Sequence, residues 1–457
     1  MTADLLVLGA GPAGVGAAHR AARSGHDVVV VERAPAPGGA AASITVAGQR
    51  VDLGSHRLHE SIRPEILGEL RALLGDELQL RPRRGRIRLA GGWMRFPLSP
   101  SDVVRNLPAA FLARVARDAA TKPFRRARED TFACVLLAGL GPAICEAFYF
   151  PYARKIWGVD PHRLSSEQAR RRVGARSAAS IVRKAAGRRG SRFWYPAGGY
   201  GHISEALAAG AADAGARILY GRAVEKLVLR DDGVVAHLDD ATDVTARRVW
   251  STIPVTALAR IADPGPPPEV LRAAATLRFR AMVLVYLVVA ADRYTRFDAH
   301  YLPEEWTPVT RVSEPKNYRD GDDPSGRTVL CAEIPCDRGS RLWEMDEASA
   351  RGAVVDALER AELPRPGVLA VHVHRLSHAY PVYEAGFERA LDPLHAWIDA
   401  QPRLLTFGRE GLFVHDNAHH ALAMAWDAVA CLEPGGGFSS ETWRRAREGF
   451  RAHVVED

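Results

Sequence analysis

Three glycines near the start of the chain have the spacing of a phosphate-binding turn. They are Gly9, Gly11 and Gly14, in the run GAGPAG. Gly9 permits a tight turn out of a strand, Gly11 lets the backbone approach a pyrophosphate, and Gly14 lets the next helix pack closely. That helix would point its positive N-terminal end at the phosphates. The spacing therefore predicts a dinucleotide-binding turn.

An acidic side chain follows at the position such a turn requires. Glu32 ends the valine run Val28–Val31, and a carboxylate there can accept hydrogen bonds from both ribose hydroxyls. A lone G-x-G-x-x-G is a weak signal, and a plain glycine turn is the alternative interpretation. Because strand, helix and acid all stand in their expected places, the dinucleotide site is the favoured interpretation.

A second glycine pair distinguishes the expected dinucleotide. Gly38 and Gly39 follow Glu32 and Arg33 after four residues, and Ala40 comes next. A plain NAD-binding domain has no need of a second glycine pair so close behind its acid. FAD does, because it lies extended and needs backbone near its ribityl chain and pyrophosphate. The pair therefore favours FAD.

The elements that must position these residues form a βαβ unit. Residues 4–8 predict a buried parallel strand, residues 15–25 a helix and residues 26–33 a second strand. Later, the residues from Arg192 to His202 are interpreted as a loop entering a helix. Other segments give helical or strand patterns: helices at 60–75, 383–400 and 418–432, and strands at 85–97, 278–290, 327–334 and 368–376.

Several stretches resemble the FAD-binding fold of the amine oxidase and protoporphyrinogen oxidase superfamily. Val51–Arg57 resembles its loop beside the isoalloxazine ring, and Tyr195–Gly201 resembles its YPxGGxG turn. Ser251–Pro254 resembles the strand end that returns beside the cofactor. Phe148–Gly158 resembles a stretch of UDP-galactopyranose mutase-like members. Gly408–His420 resembles the C-terminal flavin motif.

The resemblance implies an α/β fold. It consists of a discontinuous, Rossmann-like FAD-binding domain of the glutathione reductase type and a second, mixed-sheet and helical substrate domain. A helix after Gly408 is expected to direct its N-terminus at the flavin N1–C2=O region, where its dipole stabilises the anionic reduced form. No cysteine lies in this motif, so FAD is expected to bind non-covalently. The residues expected to contact FAD are Gly9, Gly11, Pro12, Ala13, Gly14, Glu32, Arg33, Gly38, Gly39, Ala40, Gly54, Ser55, His56, Val224, Gly408, Arg409, Asn417, Ala418 and His419.

The same motifs predict a division of the chain, because expected FAD contacts recur at its start, middle and end. The FAD-binding domain is expected to comprise residues 1–95, 196–262 and 386–432. Residues 96–195 are expected to form a helical substrate-side region, and residues 270–385 a substrate sheet. Residues 433–457 are expected to form a basic amphipathic C-terminal helix.

The sequence departs from both branches that it resembles. Mutase-like members carry tyrosines after the second glycine of the C-terminal motif that hold a diphosphate, and here Phe413 and His415 take those places. The acid that precedes the flavin-facing helix is also replaced, in the run from Asn417 to His420. Monoamine oxidase-like members use a lysine near flavin N5, whereas the matching strand here carries Arg278 and Arg280.

No catalytic side chain is assigned from the sequence, because flavin N5 carries the chemistry and the protein orients the substrate. The candidates are His56, Arg311, Lys316 and Tyr383. The alternative for the stretch from Arg311 to Asn317 is a solvated loop edge, and that for His56 is a buried structural histidine. Tyr152 and Trp157 could line the pocket, and core packing is their alternative. A pocket wall could be formed by Arg375, His378, Tyr380 and Tyr383, and an ordinary cluster at a strand end is the alternative.

Composition restricts the class of partner. The formal net charge is +7 and only five of the 61 basic residues are lysine, so arginine dominates, as expected from GC-rich coding. Arginine is densest from Arg105 to Arg128 and from Arg163 to Arg192, without interleaved aromatics for stacking bases. A small-molecule substrate is therefore expected, nucleic acid is not, and a peripheral membrane contact is the weaker alternative. The sequence does not give the oligomeric state.

Cysteine usage and hydropathy bear on metal binding and location. Five cysteines without a C-x-x-C pair favour neither a disulfide scaffold nor a zinc site, so no metal is expected. The N-terminal residues lack the basic start of a signal peptide, and no apolar run reaches 18 residues. A reducing cytoplasm is the expected compartment.

Three functions remain open. The leading hypothesis is an FAD-dependent oxidoreductase, meaning an oxidase, dehydrogenase or desaturase, acting on a small biosynthetic molecule. The alternative is a flavin-dependent sugar mutase or isomerase of the UDP-galactopyranose mutase type, without net redox change. A non-catalytic flavin-binding protein is the third. One fold hosts many chemistries, so the resemblance does not choose among them.

Overall fold

The computed structural model describes residues 1–96, 102, 105–173, 192–433 and 437–455, so part of the expected helical region 96–195 lies outside the described residues. The strands are β1 (Thr2–Leu8), β2 (Val28–Glu32), β3 (Ser43–Val46), β4 (Gln49–Asp52), β5 (Leu58–His59), β6 (Leu78–Pro82), β7 (Gly85–Leu89), β8 (Gly92–Phe96), β9 (Arg192–Pro196), β10 (Arg217–Tyr220), β11 (Val224–Leu229), β12 (Val234–Leu238), β13 (Asp243–Ser251), β14 (Ala262–Asp263), β15 (Arg278–Val289), β16 (Ala299–Tyr301), β17 (Arg311–Ser313), β18 (Thr328–Cys336), β19 (Val368–Val382) and β20 (Leu404–Thr406).

The α-helices are α1 (Pro12–Arg23), α2 (Pro64–Leu74), α3 (Ala109–Thr121), α4 (Phe132–Leu140), α5 (Pro142–Ile144), α6 (Phe150–Trp157), α7 (Ser166–Val173), α8 (His202–Asp213), α9 (Val255–Ile261), α10 (Pro268–Ala274), α11 (Glu347–Arg360), α12 (Glu388–Asp399), α13 (Gly408–Gly411), α14 (Ala418–Ala430) and α15 (Ser440–Gly449). Among the described helices, none is both long and apolar enough to cross a membrane.

The first sheet has a parallel half and an antiparallel half. Its strand order is β10-β2-β1-β13-β12-β11-β14, and β20 also pairs with β13. β1 runs parallel to both β2 and β13, so its carboxyl end lies between theirs. All five residues of β2 are buried, which explains its uninterrupted valine run. The βαβ unit expected from the sequence is therefore the centre of this sheet.

Helices cover both faces of the first sheet. On one face, α1 packs between α8 and α14, and their alanines and leucines form one core with Leu5, Val7, Val28 and Val30. On the other face, α9, α10 and α12 pack against Leu6, Leu8, Val29 and Val31. Alternate residues of β1 and β2 therefore face different cores, as a strand requires.

The second sheet divides two further cores. Its order is β19-β15-β18-β17-β16-β7-β8, with the apolar strand β15 next to the long strand β19. Along β15, Val283, Val285 and Leu287 face α11, whereas Leu284 and Tyr286 face the β3–β4 hairpin. The β3–β4 hairpin follows the second glycine pair, Gly38 and Gly39, which comes after β2 of the first sheet. This face of the second sheet therefore packs against a segment that directly follows the first βαβ unit.

The described part of residues 105–173 is helical, as expected. Helices α4, α6 and α7 share a core that includes Phe132, Trp157 and Leu164. Between α5 and α6 the backbone makes a π-helical turn at Cys145–Tyr149. Trp157 packs edge-on against Phe132 at 5.4 Å, so it belongs to this core.

The structure corrects one predicted loop. Residues Arg192–Pro196 form strand β9, which pairs with β5 and β6 in a small antiparallel sheet. Phe193 and Tyr195 are buried while Arg192 is exposed, which is the alternation of a half-buried strand. The glycines at 198, 199 and 201 indicated a loop, so the short strand pattern before them was not recognised.

Candidate functional site

Each glycine of the first motif meets a different local requirement. Gly9 has a φ of +97°, and a Cβ there would lie 2.7 Å from Thr252 Oγ1. A Cβ on Gly14 would lie 1.9 Å from Gly9 O, so the start of α1 packs directly on the turn. A Cβ on Gly11 would meet nothing within 4 Å. The open space at Gly11 is where a pyrophosphate would approach the backbone.

The N-terminus of α1 is left available for an anion. Gly11 is its N-cap, Pro12 is its first residue, and no side chain caps the free amides. The first turn also contains no acidic residue. The positive end of the helix dipole is therefore not neutralised by the chain itself, and it faces the open space at Gly11.

Glu32 is held in a fixed orientation at the end of β2. Its Oε2 accepts a hydrogen bond of 2.7 Å from Ala10 N, and its Oε1 accepts one of 2.8 Å from Ala34 N. Each carboxylate oxygen keeps a second lone pair, so two hydroxyl donors can still bind. Arg222 N donates to Glu32 O at 3.0 Å, which brings the start of β11 at Val224 close to this strand end.

The second glycine pair lies directly against the first motif. Gly38 has a φ of +119°, and its N donates to Ala10 O at 2.8 Å. A Cβ on Gly39, whose φ is +53°, would lie 3.3 Å from Gly11 Cα. Both positions therefore need glycine, one for its backbone conformation and close packing, the other for approach to the first turn. Arg33 and Ala40 are exposed beside this contact.

The loop after β4 is fixed by buried polar groups. Gly54 has a φ of +102°, and Ser55 N donates to Glu333 Oε1 at 2.8 Å. Glu333 also accepts two hydrogen bonds of 2.9 Å from Arg311. Ser55 Oγ shares a hydrogen bond of 2.5 Å with Tyr318 OH. The loop expected beside the flavin is thus attached to β17 and β18 of the second sheet.

His56 continues this loop as a buried, neutral ring. Its Nε2 lies 3.0 Å from Leu53 O, and its ring stacks on Tyr200 with 5.3 Å between centroids. Burial lowers the pKa of His56, so the imidazole is uncharged at neutral pH. The structure thus places this candidate next to Gly54 and the Arg311–Glu333 pair.

The C-terminal motif reaches the first glycine turn. Gly408 has a φ of +81°, and a Cβ there would lie 2.9 Å from the Cβ of Ala13. Helix α14, which begins after Asn417, packs so closely on α1 that a Cβ on Gly16 would lie 3.0 Å from Leu422. Asn417, Ala418 and His419 therefore start a helix beside the expected cofactor, although they lie about 400 residues from the first motif.

Arginines and tyrosines gather near this point. The guanidinium carbons of Arg172 and Arg409 lie 5.5 and 5.1 Å from the Tyr380 ring centroid. Arg311 lies 5.6 Å from the Tyr301 ring, and its charge also acts on Tyr152 and Tyr380. We call these six residues the arginine–tyrosine wall. It could face a planar or an anionic substrate.

Other candidates are used by the fold itself. Lys316 Nζ donates to the carbonyls of Pro324 and Arg327, at 2.6 and 3.0 Å. Tyr383 is fully buried, its hydroxyl donates to Phe413 O at 2.8 Å, and its ring stacks on Phe387 at 4.2 Å. Both side chains donate to backbone carbonyls, so each is engaged in holding the fold.

The remaining basic candidates are also engaged elsewhere. Lys155 donates to three backbone carbonyls, at 2.6, 2.6 and 3.0 Å. Arg280 pairs with Asp337 at 2.6 Å, and Arg278 pairs with both Asp337 and Glu384. Arg154 is exposed and pairs with acids at the surface. These four do not line one pocket with Arg311. Arg375 donates to two backbone carbonyls, and His378 packs edge-on against Phe279.

Several residues of the site were not found in the sequence. Glu333 and Tyr318 hold the loop at Ser55, and Asp52 accepts hydrogen bonds from Tyr195 OH at 2.5 Å and Tyr200 N at 2.9 Å. Glu410 is also half-buried in the C-terminal motif. A signal existed only for Asp52, which is an acid inside the apolar run from Val51 to Leu53.

Three further side chains meet behind the start of α14. His453 Nδ1 lies 3.0 Å from Asp416 Oδ2, and the His420 and His453 rings stack at 4.2 Å. Their ligand atoms are close enough to be considered for a metal ion. Arg171, however, lies 3.7 Å from Asp416, and nearly parallel rings do not aim both nitrogens at one point. The group is better explained as a link between the C-terminal segment and α14.

Comparison with solved structures identifies the fold. A reduced UDP-galactopyranose mutase superposes with a TM-score of 0.82 at 19% identity, covering 99% of this chain and 100% of that one. A protein assigned as a protoporphyrinogen oxidase from Exiguobacterium sp. 255-15 gives 0.72 at 18% identity, covering 93% and 98%. Cyclohexylamine oxidase from Brevibacterium oxydans IH-35A gives 0.67 at 18% identity, covering 94% and 98%. No curated protein sequence matches the chain.

The family itself follows from the sequence. The pattern of the family described as flavin containing amine oxidoreductase matches residues 12–423, most of the chain. The open space at Gly11, the uncapped helix end and the oriented carboxylate of Glu32 all fit an FAD molecule. The resemblance seen in the sequence is thereby confirmed, and the chain binds FAD and belongs to the flavin-containing amine oxidoreductase family.

Proposed function

We propose that this protein is an FAD-dependent oxidoreductase that transfers a hydride between a small biosynthetic molecule and its flavin. It would act as an oxidase, a dehydrogenase or a desaturase. Bound FAD would supply N5 as the hydride acceptor or donor. The chain supplies the binding site, the orientation of the substrate and the exclusion of water.

One observation carries the redox proposal: the positions of Phe413 and His415. Mutase-like members hold their diphosphate with tyrosines at these places. Here Phe413 is fully buried, with its ring 4.8 Å from that of Phe279. His415 is also fully buried, and burial, together with the neighbouring arginines, lowers its pKa well below the usual range. Neither residue supplies a hydroxyl donor to a diphosphate.

We assign binding of FAD to the residues expected from the sequence, from Gly9 to His419. The N-terminus of α1 would bind the pyrophosphate, Glu32 the ribose, and the loop from Gly54 to His56 the ring system. The first sheet draws its strands from residues 2–32, 217–263 and 404–406, which supports an FAD domain of 1–95, 196–262 and 386–432. Residues 96–195 and 270–385 would form the substrate side.

A flavin-dependent mutase or isomerase is the second candidate, since the arginine–tyrosine wall suits the acidic substrate that a sugar mutase of this type would take. Arg172 and Arg409 both approach Tyr380, near the Arg311–Glu333 pair. Guanidinium groups with tyrosine hydroxyls suit a phosphorylated or otherwise acidic substrate. An acidic substrate is compatible with redox chemistry as well, so the wall bears on the substrate and leaves the reaction type open.

An anaerobic turnover assay tests the proposal. The flavin is reduced, candidate substrates are added, and product is measured with and without a limiting electron acceptor. A redox enzyme forms product only in proportion to the acceptor or donor consumed, and a mutase consumes neither. The flavin-free protein serves as the control. Conversion of a nucleotide sugar by reduced enzyme without any acceptor would overturn the redox proposal in favour of the second candidate.

A further inference from the structure

The most exposed large apolar side chain among the described residues lies in one of the arginine-rich stretches of the chain. Phe124 is 88% exposed, in the 3₁₀ turn Lys122–Phe124 that follows α3. Seven basic residues and one acidic residue lie between Arg105 and Arg128. A phenylalanine so exposed gains none of the stabilisation that burial of its ring would give, so a surface that covers the ring would be bound more tightly.

The turn projects because the rest of α3 is packed. Phe111 is buried against Met94 and Leu89, and Leu112 and Val115 are half-buried in the same core. Arg125 folds back, donating to Asp118 O at 2.6 Å. The inner face of α3 is therefore packed against a core, and Phe124 points away from that face.

Three exposed arginines without an acidic partner among the described residues lie close to Phe124 in the chain. Within the described parts of the chain, no acidic side chain forms an ion pair with Arg117, Arg126 or Arg128, and all three are exposed. Glu129 and Asp130 follow, and Asp130 lies 3.7 Å from Arg170. We call Arg117, Lys122, Pro123, Phe124, Arg126 and Arg128 the basic–aromatic turn.

We propose that the basic–aromatic turn docks the protein on the surface of an anionic lipid bilayer. At such a surface an aromatic ring enters the interface while arginines meet the lipid phosphates. A single-stranded nucleic acid needs successive aromatic platforms, whereas this turn has a single exposed ring. An acidic protein would satisfy the arginines but does not require Phe124 to stand alone. An anionic bilayer would contact both the exposed ring and the arginines.

Vesicle sedimentation of the FAD-loaded protein tests this docking. The probes are vesicles of phosphatidylcholine alone and vesicles containing phosphatidylglycerol. We expect the protein to sediment with the anionic vesicles only. Phe124→Ser should weaken partitioning about tenfold, since the ring no longer enters the interface. Arg126→Glu with Arg128→Glu should weaken it by about fivefold or more per arginine. Phe124→Trp should restore binding.

Matched variants elsewhere on the surface serve as controls. Leu369→Ser removes another exposed apolar side chain, and Arg341→Glu with Arg351→Glu makes the same charge change outside the turn. Neither should alter partitioning, and flavin content should be unchanged in every variant because all six substituted positions are exposed. Equal binding by wild type and Phe124→Ser would overturn the proposal. So would binding to single-stranded DNA that depends on the arginines and exceeds binding to the anionic vesicles.

Discussion

Glu32 combines two tasks in one carboxylate. It accepts backbone hydrogen bonds from Ala10 and Ala34, and it retains lone pairs for the ribose of FAD. The first task orders the glycine turn, and the second would bind the cofactor in the proposed site. Neutralising the carboxylate and removing it should therefore have different effects.

We expect Glu32→Gln to weaken FAD binding about tenfold and Glu32→Ala up to about a hundredfold. The amide keeps one acceptor oxygen, whereas alanine keeps none, and hydrogen bonds to a charged group contribute about 1.5–3 kcal/mol. Equilibrium dialysis of the apoprotein with FAD measures the affinity. Glu225→Ala, on exposed strand β11, is the control. An affinity equal to that of the control would remove Glu32 from the site.

Glu410 is a half-buried acid whose carboxyl oxygens are shielded from water and lie near one arginine. Neither carboxyl oxygen has a hydrogen bond among the residues described, and Arg409 Nε lies 3.9 Å away. Burial raises the pKa of Glu410 from 4.5 to about 7, although the charge of Arg409 opposes the shift. The folded protein therefore holds a proton here that the unfolded chain releases.

The raised pKa of Glu410 determines the direction in which the free energy of unfolding changes with pH. Between pH 4.5 and about 7 the folded state binds more protons than the unfolded state, so stability contributed by Glu410 is lost as pH rises through that window. We expect Glu410→Gln to flatten this decline and to exceed wild type in stability above pH about 7. Urea unfolding at several pH values measures it, with Glu225→Gln as control. Parallel pH profiles for Glu410→Gln and wild type would contradict the assignment.

At the scale of elements, a buried ion pair connects two strands of the second sheet to the loop after β4. Arg311 on β17 and Glu333 on β18 face each other with two hydrogen bonds of 2.9 Å, and Glu333 also accepts from Ser55 N. The pair thus fixes the loop after β4 from the substrate side. A change in Glu333 should affect both stability and cofactor binding.

We expect Glu333→Gln to destabilise the protein by about 3–5 kcal/mol, because Arg311 is left buried without a counter-charge. FAD affinity should fall as well, since Ser55 N loses its charged acceptor. Denaturant unfolding and flavin titration measure the two effects. The control is Glu441→Gln in the exposed Arg445–Glu441 pair, where about 0–1 kcal/mol is expected. A loss as small as the control's would show that the pair is dispensable.

At the scale of the whole molecule, the C-terminal segment joins the FAD side to the substrate-side helices. His453 contacts Asp416, which precedes α14, and Val455 N donates to Arg171 O of α7 at 2.8 Å. Asp416 is buried, and burial raises its pKa while His453 opposes the shift. The segment therefore holds the start of α14 against α7.

We expect His453→Ala to lower the free energy of unfolding by about 1–3 kcal/mol and to speed the loss of flavin. Asp416 would lose the hydrogen bond from His453 and keep Arg171 at 3.7 Å and His420 at 3.6 Å, and a buried acceptor without its hydrogen bond is costly. The rise in free-flavin fluorescence after rapid dilution of the FAD-loaded protein measures flavin release. His237→Ala, an exposed histidine paired with Asp243, is the control. Unchanged flavin release would separate the C-terminal segment from the cofactor site.

Local sequence patterns were sufficient to predict the first βαβ unit and the flavin-binding fold. The glycines, Glu32 and the valines of β2 each have a requirement that is set within about 35 residues, so their types reveal it. Strand β15 was also predictable, because both of its faces are buried and its residues are nearly all apolar. Strand β9 was not predictable, because its five residues show too short an alternation of buried and exposed positions next to a glycine-rich turn.

The sequence by itself determined the cofactor class and the family, since close backbone approach to a dinucleotide demands glycine wherever it occurs. Only the tertiary structure decided which polar residues meet. Glu333 reaches Ser55 and Arg409 reaches Tyr380 across long stretches of chain, and no local spacing records such contacts. It also decided that Lys316 and Tyr383 serve the fold. A side chain's partners depend on how the sheets and helices pack, and that packing follows from the burial of apolar surface over the entire chain.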